Sequence, residues 1–316
     1  MKPIAFVFPG QGSQAVGMLD AWGDHPAVLE TLAEASDALG EDIGALIANG
    51  PKEDLALTTN TQPVMLVAGV ACWRAWRAEG GPLPAAVAGH SLGEYSALVA
   101  AEALPLAEAV PLVRLRAQAM QQAVPVGTGA MAAILGLEAS KVIAGCAEVT
   151  GAMGQNGTEV VEAVNFNDPV QTVIAGTKAA VEKACEVLKG MGAKRALPLP
   201  VSAPFHSSLM KPAAERLQAA LAGIELAAPR IPVVNNVDVA IESDPARIRD
   251  ALVRQAAGPV RWVECVGKIK SLGIDTVVEC GPGKVLAGMT KRIDGELTGA
   301  ALYDPATLAE VKTLLA

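Results

Sequence analysis

Aromatic residues are scarce in this chain: Phe, Trp and Tyr together make up 3% of its 316 residues. Alanine and glycine are abundant instead, so the core is expected to be helices lying close against a sheet. Cysteine is sparse as well. Cys72, Cys146, Cys185, Cys265 and Cys280 are scattered with no C-x-x-C pair, which offers no zinc site, demands no disulfide and fits a reducing cytoplasm. No apolar run is long enough to span a bilayer: the strongest, 64–72, is followed at once by Trp73-Arg74. The opening Met1–Phe8 is too short for a signal h-region. Basic charge is outnumbered, with a formal net charge of -8, which argues against nucleic acid as a partner. Repeats, low-complexity tracts and long charge runs are missing too. These absences leave a cytoplasmic protein that engages neither membrane nor nucleic acid.

What is present centres on Gly89-His90-Ser91-Leu92-Gly93, directly after the apolar run Ala85-Ala86-Val87-Ala88. G-x-S-x-G between a strand and a helix reads as a sharp turn carrying an exposed nucleophile. The residues flanking the serine must be small for such an elbow to close. Ser91 would then sit at a helix N-terminus, where backbone N–H groups can stabilise an oxyanion.

The length suits one large α/β domain, or a large domain with a small insert. A buried first strand is expected over 4–8, ending in Pro9-Gly10-Gln11-Gly12, with helices over 27–39, 63–79, 92–103 and 106–123. The alternation implies a mainly parallel sheet flanked by helices, with sites at the carboxyl ends of its strands. Residues 129–135, 139–150, 160–165, 170–175, 178–189 and 194–199 read β-α-β-β-α-β around a turn at Asn167-Asp168-Pro169, a ferredoxin-like order. The expected division is a large α/β hydrolase-like domain of 1–127 and 201–316 and a small ferredoxin-like subdomain of 128–200. The large domain resumes with helices over 207–222, 246–257 and 260–272 and strands over 231–235 and 276–280.

A serine needs a base, and the chain has three histidines. His25 lies in an ordinary surface turn before a helix. His90 adjoins Ser91 and should point away from it, packing beneath the elbow. His206, in Ala203-Pro204-Phe205-His206-Ser207, remains as general base. No acid stands shortly before it, so a backbone or side-chain carbonyl is a candidate to orient its ring. Arg114 and Arg116 lie on different sides of one helix; one of them facing the serine would bind a carboxylate, and spacing does not choose between them.

Taken together, the chain resembles the malonyl-CoA:acyl carrier protein transacylases of bacterial fatty acid synthesis. The resemblance rests on Phe8-Pro9-Gly10-Gln11-Gly12-Ser13-Gln14, Thr61-Gln62-Pro63, Gly89-His90-Ser91-Leu92-Gly93-Glu94-Tyr95, the helix through Arg116, and Gly127-Thr128-Gly129-Ala130-Met131. Val164-Asn165-Phe166-Asn167-Asp168-Pro169, Ala203-Pro204-Phe205-His206-Ser207, Pro232-Val233-Val234-Asn235-Asn236 and Glu279-Cys280-Gly281-Pro282-Gly283-Lys284 continue it in family order. It implies Ser91 as the acylated nucleophile, His206 as base and acid, and Arg116 as the malonyl carboxylate holder. It further implies an oxyanion hole of the Gln11 and Leu92 backbone N–H groups, Gln255 orienting His206 through its carbonyl, and Gln62 and Asn165 near the pocket. The substrate would be malonyl-CoA and the acceptor the phosphopantetheine thiol of holo acyl carrier protein, with no bound cofactor, no metal and a monomeric enzyme. Glu102 stands where the family often has glycine, a change expected to stay local to a turn. Phe205 and Leu92 resemble malonyl-selective members, although one methylene discriminates by only ~1–3 kcal/mol.

An acidic carrier needs a basic patch on this acidic chain. Lys189, Lys194 and Arg195 form one candidate cluster, and Lys268, Lys270, Lys284, Lys291 and Arg292 another. Two competing readings are a serine hydrolase, which needs no Arg116 and uses water as acceptor, and a non-catalytic adaptor. The retention of Ser91, His206, Arg116 and Gln11 disfavours the adaptor.

Overall fold

The computed structural model describes residues 3–154, 158–201 and 203–315, which leaves Met1-Lys2 of the opening segment outside it. Two sheets organise the chain. The larger holds β1 (Ile4–Phe8), β2 (Ala86–Gly89), β7 (Val233–Val234), β8 (Thr276–Cys280) and β9 (Thr298–Leu302) in the order β7-β2-β1-β8-β9. All its pairings are parallel. Every residue of β1, β2 and β8 is buried, as strands covered by helices on both faces require. The scarce aromatics concentrate here: Phe6 meets Trp73 and Trp76 edge to face, with ring centroids 5.5 and 5.4 Å apart.

The smaller sheet holds β3 (Gly129–Leu135), β4 (Val161–Asp168), β5 (Gln171–Thr177) and β6 (Arg195–Pro198), antiparallel throughout in the order β4-β5-β3-β6. With helices Ala139–Met153 and Lys178–Gly190 between its strands, this is the ferredoxin-like arrangement the periodicity predicts. Period-two alternation gives the sheet two apolar faces. Ala132, Ile134 and Ile174 pack under the two helices. Met131, Ala133, Val173 and Ala175 turn the other way, onto Ala119, Met120, Phe205 and Met210 of the larger unit. A cleft lies along that seam.

Register brings the predicted turns together. Phe8 pairs with Gly89, and the His90 N–H donates to the Phe8 carbonyl at 2.9 Å. A Cβ at Gly89 would stand 1.9 Å from the Gly93 backbone, and one at Gly93 would stand 2.1 Å from the Phe8 oxygen. Only glycine fits at either flank of the elbow.

Several local expectations are corrected. The turn proposed at Asn167-Asp168-Pro169 is tighter: β4 runs through Asp168, which pairs with Gln171, so only Pro169-Val170 bridge the hairpin. Helix Thr58–Ala78 begins five residues before Pro63, the expected start. The Thr61 hydroxyl donates to the Leu55 and Leu57 carbonyls and holds that early turn. The elbow helix ends at Ala100, and Glu102 adopts φ +58, the left-handed conformation of a helix C-terminus. The strand expected over 231–235 shrinks to two residues. β9 and the helices Val285–Ile293 and Pro305–Leu315 carry no sequence expectation, since the Gly/Ala-rich TGAAL of β9 lacks strand-forming side chains. No described helix is long and apolar enough to cross a membrane.

Candidate active site

Ser91 stands at the carboxyl end of β2 with φ +53, a conformation a non-glycine residue adopts only when its surroundings enforce it. Its Oγ lies 2.7 Å from Nε2 of His206, which itself has φ +65. At the other side of the ring, Nδ1 faces two carbonyl oxygens, Gln255 O at 2.9 Å and Gly258 O at 3.2 Å. Carbonyls only accept, so the ring proton belongs on Nδ1 and Nε2 is left as an acceptor for the serine hydroxyl. Burial, reinforced by the Arg116 cation, pulls the imidazole pKa down from its usual value to about 3. The ring is a neutral base.

The two arginines separate cleanly. Arg114 pairs with Glu41 at the surface, at 2.8 Å. Arg116 is 1% exposed and sends its guanidinium to Gln62 Oε1 (2.6 Å), Gln255 Oε1 (3.0 Å) and Ser91 Oγ (3.2 Å), over the Tyr95 ring at 5.5 Å. A desolvated cation thus lies within hydrogen-bond reach of the serine, held by neutral oxygens that an incoming carboxylate would outcompete.

Around this cluster lies a cavity of about 120 Å³, lined by Gln11, Gln62, His90, Ser91, Leu92, Arg116, Met120, Met131, Asn165, Leu199, Val201, Phe205 and His206. At ~30 Å³ per water that is about four waters, or one short acyl group. A wider groove of about 530 Å³ past Thr58, Thr59 and Pro200 shares Leu199 and Val201 with it. Gln11 is placed by the turn after β1, its amide donating to Thr58 Oγ1 at 3.4 Å. Leu92 begins the elbow helix. The Oδ1 atom of Asn165 is buried at the cavity with no hydrogen-bond partner among the described residues.

His90 turns beneath the elbow, its Nε2 2.8 Å from Asn167 Oδ1 and its ring against Trp262. His25 precedes the first long helix, away from the cluster, 3.6 Å from Glu79. Among the basic residues, Lys270 is tied to Asp294 and Glu296, and Arg292 to Asp168. Lys284 is exposed on the turn after β8, whose Gly281 and Gly283 lie against Pro9 and Ser13 of the Gln11 turn. Lys189, Lys194 and Arg195 make no ion pair among the described residues; Lys194 and Arg195 lie at the start of the edge strand β6. Among the described residues, no group of three or more metal-ligating side chains comes together.

Two residues escaped the reading of the sequence as site residues. Asn236 follows β7 at the carboxyl edge of the sheet; its Oδ1 accepts from the Ser91 N–H at 2.7 Å and its Nδ2 donates to the Gly89 carbonyl at 2.7 Å. Glu94, on the elbow helix, is buried under both. Two signals pointed to Asn236: a polar residue at a strand's carboxyl end, and its place in the motif Pro232-Val233-Val234-Asn235-Asn236.

Comparison with known proteins agrees with this geometry. Residues 5–296 match the acyl transferase domain family. A curated relative, the malonyl CoA-acyl carrier protein transacylase of Salmonella typhimurium, is 55% identical across 99% of this chain and 100% of its own length. The crystal structure of an acyl-carrier-protein S-malonyltransferase from Burkholderia pseudomallei superposes with a TM-score of 0.95 at 67% identity, covering 99% of this chain and 100% of that one. A malonyl-transacylase in complex with the holo acyl carrier protein of a type II PKS superposes with a TM-score of 0.94 at 52% identity, covering 98% of each chain. The chain belongs to the acyl transferase family, among the malonyl-CoA–acyl carrier protein transacylases.

Proposed function

We propose that this chain moves a malonyl group from malonyl-CoA to the phosphopantetheine thiol of a holo acyl carrier protein, through an ester on Ser91, in fatty acid synthesis. The observation that carries it is a neutral histidine 2.7 Å from the serine beside a buried arginine 3.2 Å from the same oxygen. An esterase of neutral substrates has no use for that cation.

In the first half-reaction the malonyl carboxylate pairs with Arg116, displacing the Gln62 and Gln255 amide oxygens, and the thioester carbonyl meets Ser91 Oγ. His206 Nε2 accepts the hydroxyl proton as the O–C bond forms. The oxyanion is met by the backbone N–H groups of Gln11 and Leu92, each contributing ~10²–10³ in rate. The C–S bond then breaks and His206 returns its proton to the departing CoA sulfur. In the second half-reaction the carrier thiol gives its proton to His206 as its sulfur attacks the ester, and the proton passes back to Ser91 Oγ as the C–O bond breaks. Ping-pong kinetics follow. The wider groove beside Leu199 and Val201 would take the pantetheine arm. Asn165 offers its unpartnered Oδ1 to a donor on the substrate.

No bound cofactor enters this cycle. The acidic carrier would dock on Lys284, which is exposed on the turn that lies against the Gln11 turn; within its cluster Lys270 and Arg292 are already paired. The enzyme is read as a monomer of the cytoplasm, with 128–200 as an inserted subdomain. The test is CoA release with and without holo carrier protein. The expected result is one equivalent without carrier and continuous turnover with it. Continuous release without carrier would mean that water is the natural acceptor and would overturn the reading.

A further inference from the structure

One carboxylate oxygen lies behind the whole constellation. Glu94 is 2% exposed, and its Oε2 accepts both the Asn236 backbone N–H (2.9 Å) and the Gln255 Nε2–H (3.0 Å). Those two partners hold opposite ends of the strained nucleophile. The Asn236 side chain accepts from the Ser91 N–H, and Gln255 Nε2 also donates to the Ser91 carbonyl at 2.9 Å. Gln255 in addition presents its backbone oxygen to His206 and its side-chain oxygen to Arg116. The serine, the base and the guanidinium therefore all depend on two residues that share one acceptor.

We infer that Glu94 is a positioning residue for acyl transfer, its Oε2 holding Asn236 and Gln255 so that the Ser91 peptide, the His206 ring and the Arg116 fork keep their mutual geometry. The inference rests on the reading of Ser91 as the nucleophile. What the arrangement requires at this point is a twofold acceptor rather than a negative charge. Glu94 makes no ion pair with Arg116 among the described residues; Gln255 stands between them, and the guanidinium acts on the carboxyl only through space. Burial raises the Glu94 carboxyl to about 7, and a protonated carboxyl still offers lone pairs at Oε2. An amide oxygen would serve equally. A 1 Å displacement of the elbow can cost ~10²-fold in rate, whereas Arg116 keeps its separate anchor on Gln62 and the groove is untouched, so malonyl-CoA binding is largely spared.

The test is rapid-quench measurement of malonyl loading against malonyl-CoA concentration for wild type, Glu94→Ala and Glu94→Gln. Formation of the adduct on wild-type Ser91 comes first; its absence would sink the nucleophile assignment and not the role of Glu94. The expected result for Glu94→Ala is a maximal loading rate about 100-fold lower with half-saturation changed under threefold. Glu94→Gln should stay within about tenfold of wild type. Loading by Glu94→Ala within about threefold of wild type overturns the inference, as does a loss carried wholly by half-saturation, or a Glu94→Gln variant as slow as Glu94→Ala. If Glu94→Ala does not fold, Glu94→Met carries the same test, since it fills the buried volume and offers no oxygen to the Asn236 N–H and the Gln255 amide. The same split is expected there, and loading within about threefold of wild type again overturns the inference.

Discussion

Arg116→Ala removes the cation beside the nucleophile and leaves the serine–histidine contact in place. The guanidinium is 1% exposed, so a malonyl carboxylate bound to it makes a desolvated, two-pronged pair. Losing one partner of such a pair costs ~2–5 kcal/mol. At ~1.36 kcal/mol per factor of ten, kcat/KM for malonyl-CoA should fall by about 30- to 5,000-fold. Acetyl-CoA carries no carboxylate, and its loading should change by less than about tenfold, so the malonyl-to-acetyl preference collapses. Arg116→Lys keeps a charge but loses the fork and should fall between. The assay is single-turnover CoA release with each thioester on folded protein. Equal losses for malonyl-CoA and acetyl-CoA would refute the reasoning, because they would make Arg116 a scaffold of the elbow and not a carboxylate ligand.

Two further outcomes follow from the same geometry. Protonation of His206 removes the base, and burial with the Arg116 cation holds its pKa well below the usual 6.5, so kcat/KM for loading should show no acid limb between pH 5 and 6.5. An ordinary histidine would be only about a tenth neutral at pH 5.5, and a half-maximal rate near pH 6.5 would contradict the buried, neutral ring. At the end of the elbow helix, Glu102 pays the left-handed cost that glycine avoids while the Ala103 N–H donates to the Leu98 carbonyl. Its ion pair with Arg230 is largely exposed and contributes little. Glu102→Gly should therefore stabilise the fold by about 1 kcal/mol in urea unfolding with unchanged malonyl loading; a destabilised variant would be the contrary result.

The parts of the site that were legible in the sequence are those encoded by neighbours in the chain. The elbow is local: a strand, two glycines that cannot carry a Cβ, and a helix, all within Ala86–Ala100. The small sheet was legible because its six elements alternate cleanly between the two periods. His206 emerged by elimination from three histidines. What was hidden depends on long-range contact. The choice of Arg116 over Arg114 rests on which helix face meets Gln62, a residue whose helical setting Pro63 disguised. Whether Gln255 meets His206 through its backbone or its side chain is not written in spacing: the backbone oxygens of Gln255 and Gly258 face Nδ1, and the Gln255 side chain turns to Arg116, Ser91 and Glu94. No pattern within one segment can announce that Glu94, Asn236 and Gln255 converge from three parts of the chain.

The most direct measurement is intact-protein mass after brief mixing with malonyl-CoA, with the adduct located by peptide mapping and then chased with holo acyl carrier protein. The account predicts a single malonyl adduct on Ser91, none on Ser91→Ala, and quantitative discharge to the carrier thiol. An adduct on another residue, or one that drains to free malonate at the same rate with or without carrier, would contradict it.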